Sequence, residues 1–374
     1  MKDKYSGKEV IRAGESFLVD DIFEDEELLH HSMTVLSYWR FQHEVPLEHA
    51  LTLLSDEVRK KDKNAIFAKR LKRYASIVAK LRRFPTMKLK NMQDIGGCRA
   101  IVSSQKKLYQ VVRELRRMQE FKNNKGRIRF KDYIEKPKAD GYRGYHLIGT
   151  FKDSKGENKL IELQLRTKLQ HDWATALEIV DLFTGQALKS NQGREEWAEF
   201  FKLVSSHFSL MESVHLFSAK KPEEQLEGYR SKLREKPHYG QSGRGIQLSE
   251  AKLRVVRSLE AFAHSLKTAD EHIAENQVLG YVLLRVDTVK ANVESRLFSN
   301  DKTKEAEKKY LEFEKETAEN SDLVVALVST TAVGGIKEAY PNYFADSSEF
   351  LKYLTYILDT QMVEKKSIIG NLFR

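Results

Sequence analysis

Residues 160–174 read LIELQLRTKLQHDWA, and their pattern decides the fold class. Leu160, Glu162, Gln164 and Arg166 alternate with Ile161, Leu163 and Leu165, the period of two expected of a strand with one apolar and one polar face. The polar face carries one carboxylate and one guanidinium, and a helix is expected to follow. Working outward, strands are expected at 98–102, 128–133 and 144–151, with a helix over 106–119 between the first two. The result is an α/β (α+β) reading: a mixed sheet with flanking helices. The first ~60 residues read as helical, since the apolar positions of 34–54 recur at helical spacing around Pro46. Residues 66–81 are expected to continue as one helix bearing Arg70, Lys72, Ser76 and Lys80.

Two further stretches carry chemistry. Residues 131–146, KDYIEKPKADGYRGYH, gather Lys131, Lys138, Arg143 and His146 around Tyr142 and Tyr145, both read as exposed. Cations suit phosphate and rings suit a base, so the composition fits a phosphorylated, base-bearing ligand. Residues 91–102, NMQDIGGCRAIV, place Asp94 at the mouth of an apolar run, with Gly96 and Gly97 allowing close backbone approach. Asp94 and Glu162 on neighbouring strands would suit Mg²⁺, which takes one or two protein carboxylates and leaves its other positions to water and phosphate oxygens. Simpler readings stand beside these: Asp94 as a turn cap, Glu162 as half of a strand ion pair, Arg70, Lys72 and Lys80 as a solvated helix face, His146 as a satisfied core histidine.

Four blocks occur in order: Arg70, Lys72, Ser76, Lys80; then Asp94, Ile95, Gly97, Arg99; then KDYIEKPKADGYRGYH; then Glu162, Gln164, Arg166, Thr167, His171, Trp173, Ala174. Together they resemble the RelA/SpoT synthetase domain, over roughly 32–188. The resemblance implies a nucleotidyltransferase-like fold and transfer of the β,γ-pyrophosphoryl group of ATP to a ribose 3′-hydroxyl, releasing AMP. It also implies site roles. Arg70 and Arg99 would clip the adenine, while Lys72, Ser76 and Lys80 would hold the ATP phosphates. Asp94 and Glu162 would take Mg²⁺, with Glu162 also accepting the proton of the attacking hydroxyl. Tyr142 would stack on the acceptor base, and Lys131, Lys138, Arg143 and His146 would line the acceptor side. Many alarmone synthetases have Asn where this chain has Asp140 and Ser-Leu where it has Gly144-Tyr145, a departure that points away from a guanine nucleotide as acceptor. His171-Asp172 looks like the metal dyad of a phosphohydrolase but falls inside the helix that closes the last block, and reads as structural.

The chain has 374 residues and a net charge of +10, room for two or three domains. Its one cysteine, Cys98, excludes a disulfide framework or a cysteine-rich zinc site. No apolar run approaches ~20 residues and residues 1–10 lack the apolar stretch of a signal peptide, so a cytoplasmic protein with no membrane partner is expected. Residues 59–90 carry thirteen Lys or Arg against Asp62 alone, and 106–131 carry ten against Glu114 and Glu120. That excess is the footprint expected of a polyanion such as RNA, with Arg82 and Arg83 as candidate contacts, or else a generically basic surface.

The expected organisation is a helical region at 1–60, a pyrophosphokinase domain at 61–190, a helical connector at 191–275 and a small α/β regulatory domain at 276–374. Within the connector, 195–219 reads as a helix, 220–245 as a polar link with a flexible 236–245, and 248–275 as a second helix with Leu248, Val255, Leu259, Phe262 and Leu266 on one face. In the last domain, 278–287, 292–298 and 323–329 read as strands and 304–320 and 347–358 as helices. Residues 339–350, AYPNYFADSSEF, crowd Tyr340, Tyr343 and Phe344 around Pro341. This tail resembles the C-terminal region of fused toxin-antitoxin RelA/SpoT-like proteins of the CapRel type. That resemblance implies a module that restrains the enzyme in cis until a phage capsid protein binds it, and an acceptor at the 3′-terminal adenosine of tRNA, whose modification blocks translation. The alternative is an alarmone synthetase making (p)ppGpp or (p)ppApp from GDP/GTP or adenine nucleotides. A monomer is expected in either case.

Overall fold

The computed structural model describes residues 5–19, 22, 25–72, 74–184, 195–214, 221–236, 238–262, 280–287, 290, 292–302, 305–306, 308–310, 312–313, 323–329 and 348–372. The chain forms two compact units: residues 1–136 with 144–168, and residues 137–143 with 169–374.

The first unit begins with three helices, α1 (Gly7–Ser16), α2 (Glu26–Phe41) and α3 (Glu44–Arg59). Polar side chains at their entrances fix two of them: Ser6 and Glu9 form a reciprocal capping box on α1, and the Asp25 carboxylate accepts from Leu28 N at 2.9 Å on α2. Then come β1 (Ile66–Leu71), α4 (Tyr74–Arg83), β2 (Gly96–Val102), α5 (Gln105–Leu115), β3 (Arg129–Asp132), β4 (Tyr145–Lys152) and β5 (Asn158–Thr167). The five strands make one mixed sheet in the order β1-β2-β5-β4-β3, with β2 and β5 parallel and every other pair antiparallel.

The alternation in β5 sets the two faces of this sheet. Ile161, Leu163 and Leu165 join Cys98, Ala100 and Val102 of β2 and Tyr145, Leu147 and Phe151 of β4 in one buried cluster. Helix α3 (Leu47, Ala50, Leu54, Val58) and helix α5 (Leu108, Val111, Val112, Leu115) close over it. A second cluster joins Val10, Ala13 and Phe17 of α1, Val35 and Leu36 of α2, Ile77 and Leu81 of α4, and Leu89, Met92 and Ile95 ahead of β2. It holds α4 and the entrance to β2 in fixed register.

One expected helix is corrected here. Residues 66–71 are a strand, and only 74–83 are helical. Ile66 to Leu71 pair residue by residue with Ile101 to Gly96, satisfying the outer edge of β2, which would otherwise be left unpaired beside a parallel β5.

The second unit contains α6 (Lys168–Thr184, from Leu169 on), α7 (Glu195–Ser213), α8 (Pro222–Glu235), α9 (His238–Leu253), β6 (Gly280–Asp287), β7 (Asn292–Ser299), β8 (Leu323–Ser329) and α10 (Ser348–Leu372). The three strands expected from sequence form an antiparallel sheet with β6 in the centre. Helix α7 supplies the aromatic core. Phe201 and Phe208 lie 6.0 and 5.5 Å from the ring of Phe350 on α10, and Trp173 Nε1 donates to Phe201 O at 2.8 Å.

The polar link expected at 220–245 is also corrected: Pro222–Glu235 and His238–Leu253 are helical. His207 explains part of this: fully buried on α7, it is hydrogen-bonded to Tyr229 Oη of α8 at 2.6 Å and Ser242 Oγ of α9 at 2.8 Å. Gly243 and Ile246 are buried as well, so tertiary packing overrides the weak helix propensity of a Gly-rich segment. Leu248, expected on an apolar stripe, is 74% exposed, whereas Val255, Leu259 and Phe262 are buried. Leu266, Tyr340, Tyr343 and Phe344 lie outside the described residues. No described helix is long and apolar enough to cross a membrane.

Candidate active site on the polar face of the sheet

Strand register carries the polar half of β5 across the whole sheet. Glu162 lies opposite Gly97 of β2 and Ile148 of β4, and Gln164 lies opposite Arg99 and His146. Arg99 faces Ala68 of β1, two positions from Arg70, and His146 faces Lys131 of β3. Arg70, Arg99, Glu162, Gln164, His146 and Lys131 therefore share one face, opposite the apolar cluster. Arg70 and Lys131 are exposed, Arg99 is 9% exposed, and Glu162 and His146 are half-buried.

Glu162 is held from two sides. His146 Nδ1 is 3.0 Å from Oε1, and Gln164 Nε2 donates to Oε2 at 2.6 Å, while Arg166 in turn donates to Gln164 Oε1 at 3.2 Å. Burial alone would raise the Glu162 pKa. The His146 hydrogen bond and charge, the Gln164 amide and the Lys80 ammonium outweigh it and bring the pKa down to about 2. Glu162 is thus a charged, fixed acceptor throughout the neutral range.

Asp94 sits two residues ahead of β2, between two cations. Lys72 Nζ is 3.0 Å from Oδ2 and Lys80 Nζ is 2.8 Å from Oδ1. Backbone contacts fix Lys72: its N–H donates to Ile95 O at 2.7 Å, extending the β1–β2 ladder, and its carbonyl accepts from Arg40 Nε at 2.8 Å. Lys80 comes from α4, one turn beyond the exposed Ser76 on the same helix face. Burial raises the Asp94 pKa, but Lys72 and Lys80 more than offset it, so it is lowered overall. Lys80 bonds Asp94, and its charge also helps to lower the Glu162 pKa.

Two carboxylates, no thiolate and nearby ammonium groups form a donor set for a hard cation that brings phosphate with it. No group of three or more His, Cys, Asp or Glu arranged around a metal occurs among the described residues. Mg²⁺ does not need one when phosphate oxygens complete its shell. Cys98 takes no part: it lies in the apolar core, where burial pushes its thiol up to about 12.

The residues expected on the acceptor side divide between the two units. Lys131 and His146 belong to the first; Lys138, Tyr142 and Arg143 belong to the second. Lys138 Nζ lies 4.6 Å from the centre of the Tyr142 ring, and Gly141 between them has φ +91. Neither tyrosine is exposed as expected: Tyr142 is 8% and Tyr145 1% exposed. Tyr145 occupies a position of β4 that faces the apolar side, where it stacks on Phe130 at 5.7 Å. The sequence reading missed Gln164, the second donor to Glu162, although its place on the polar face of β5 was legible. Arg82 has a structural contact, donating from Nε to Phe17 O at 3.0 Å, and the Arg83 guanidinium lies 5.4 Å from the Phe84 ring. His171 and Asp172 both lie in α6.

Residues 69–179 match the family model described as "Region found in RelA / SpoT proteins", a span that holds both carboxylates and both lysines of the polar face. This stretch resembles the region found in RelA / SpoT proteins. Among curated proteins, the chain is similar to GTP pyrophosphokinase YwaC of Bacillus subtilis (strain 168), 34% identical over 114 residues, with 28% of this chain and 52% of that protein covered. It is likewise similar to GTP pyrophosphokinase YjbM of the same organism, 35% identical over 111 residues, covering 28% and 51%. The chain thus spans about half the length of the curated relatives it matches. Among solved structures, that of small alarmone synthetase 1 from Bacillus subtilis bound to its product pppGpp shares 24% identity, covers 47% of this chain and 93% of its own, and has a TM-score of 0.39.

Proposed function

We infer that the first unit is an ATP-dependent pyrophosphokinase. The observation that carries this reading is the polar sheet face. A carboxylate flanked by two lysines (Asp94, Lys72, Lys80) stands beside a second carboxylate oriented by a histidine and an amide (Glu162, His146, Gln164), within the stretch that resembles RelA/SpoT proteins. Transfer of a phosphoryl-type group needs little covalent help from the protein, so charge placement supplies most of the catalysis.

In this reading Lys72, Lys80 and Ser76 take the ATP phosphates, and Arg70 and Arg99 lie on either side of the adenine, since guanidinium planes stack on aromatic rings. Mg²⁺ would be held by Asp94 and Glu162, supplying positive charge against the phosphates. Glu162, fixed by His146 and Gln164, accepts the proton of the attacking ribose 3′-hydroxyl. The β,γ-pyrophosphoryl group passes to that oxygen, and AMP leaves.

For the acceptor we favour the 3′ end of tRNA, as in a translation-blocking toxin fused to its own antitoxin and released by a phage capsid protein. Support comes from the basic stretches at 59–90 and 106–131, the Gly144-Tyr145 departure and the tail's resemblance. A second reading, an alarmone synthetase acting on GDP or GTP, is favoured by the relatives, which are named GTP pyrophosphokinases. Incubation with γ-labelled ATP and either deacylated tRNA or GDP and GTP separates them. Label on tRNA that vanishes once the terminal adenosine is removed supports the first; label on guanine nucleotides alone refutes it.

A further inference from the structure

A second feature of the first unit lies away from the carboxylates. A cleft of about 860 Å³ opens among α3 (His49, Leu53), the 119–129 segment, the end of β4 and the start of β5. Lys122, Lys125, Arg129 and Lys152 line it, against Glu120 as the single acidic lining residue. Lys125, Arg129 and Lys152 are exposed, and none of the four cations is in an ion pair with a described residue. Asn123, Asn124, Asn158 and Gln119 add amide groups to the lining. A convergence of four cations around a single carboxylate makes a positive potential that attracts anions.

We propose that this cleft is the docking groove for the phosphate backbone of an RNA whose end enters the polar sheet face. Three observations favour a strand over a free nucleotide. First, His146, Thr150 and Lys152 lie on the same face of β4, and Lys131 and Arg129 run alongside on β3, so a cationic track leads from the candidate active site to the cleft. Second, His146 and Lys152 are six residues apart, roughly 20 Å along the strand, a distance that a polynucleotide spans and a single nucleotide does not. Third, Phe151 is 5% exposed, which leaves the His49 ring as the exposed aromatic group of the lining. The amides and ammonium groups of the lining outnumber that single ring, so the groove reads phosphates and 2′-hydroxyls more than bases. Binding at the groove is therefore salt-sensitive and tolerant of sequence.

The inference rests on the RNA reading of the acceptor, and its test needs no catalysis. Fluorescein-labelled deacylated tRNA is titrated with the full chain, without ATP, over a series of salt concentrations. The same titration uses a K122A/K125A/K152A variant and a K8A/R12A control, two exposed cations of α1 that lie outside both basic stretches. The triple variant is expected to bind roughly tenfold more weakly or worse and to lose about two from the slope of log K against log salt, as removal of three phosphate contacts requires. The control keeps its affinity. ATP binding retained by the triple variant shows that its fold is intact. RNA binding equal to the parent's, or equal loss in the control, would overturn the groove. RNA binding at the groove without any transfer to RNA would instead refute the acceptor reading and leave the groove standing.

Discussion

Replacing Glu162 by glutamine keeps the shape of the side chain and removes its charge. In the folded protein the pKa of Glu162 is depressed from 4.5 to about 2. That depression amounts to about 3 kcal/mol in favour of the ionised form. The sign follows from linkage: a depressed carboxylate contributes its full stability above the unfolded pKa and loses it as pH falls through the folded one. At pH 7 the parent has the whole contribution, and at pH 3 about 2 kcal/mol of it has gone. The Glu162→Gln variant has no such contribution to lose. Denaturant unfolding of both proteins at pH 7 and pH 3 should therefore show the gap between them narrowing by about 2 kcal/mol. Turnover should fall by roughly 10²–10⁴-fold, the range for a lost general base, while ATP remains bound at Lys72 and Lys80. A stability gap that does not change with pH, or unchanged turnover, would refute the role given to this carboxylate.

His146→Ala removes the first of the groups that hold the Glu162 pKa down, so the acid limb of the pH–rate profile should move to higher pH; an unmoved limb would separate the two residues. Asp94→Asn should weaken binding of a manganese complex of a non-hydrolysable ATP analogue by roughly tenfold or more in calorimetry, because one of two carboxylates is lost. Gly141→Ala should cost about 1–3 kcal/mol in denaturant unfolding: φ is +91, and an added Cβ would lie 2.9 Å from Lys202 Cα. Full stability in that variant would show that this turn can relax.

The parts of the molecule legible in the sequence are those where local pattern and tertiary demand agree. The alternation in β5 showed both its strand and its faces, whereas the grouping of Glu162, His146 and Arg99 on one face follows from the register of β2 and β4 against β5. Lys72 and Lys80 were legible as cations but not as partners of Asp94, since that pairing depends on β1 docking against β2. Read alone, 66–71 fits a helix as well as a strand, and the need of β2 for an antiparallel neighbour decides. Tyr142 and Tyr145 looked exposed among polar neighbours; the parity of β4 sends Tyr145 inward. The Gly-rich 238–245 stretch carried a turn signal, and the buried His207 bridge to α8 and α9 shows why it is helical.

The central claim, that the polar sheet face moves a pyrophosphoryl group, is tested most directly by phosphorus NMR of the purified protein with ATP, Mg²⁺ and each acceptor in turn. AMP is expected to appear in step with an acceptor that has gained two phosphorus atoms, and no such change is expected with Glu162→Gln. Release of ADP with a single phosphoryl group transferred, or hydrolysis of ATP with no acceptor modified, would contradict the claim.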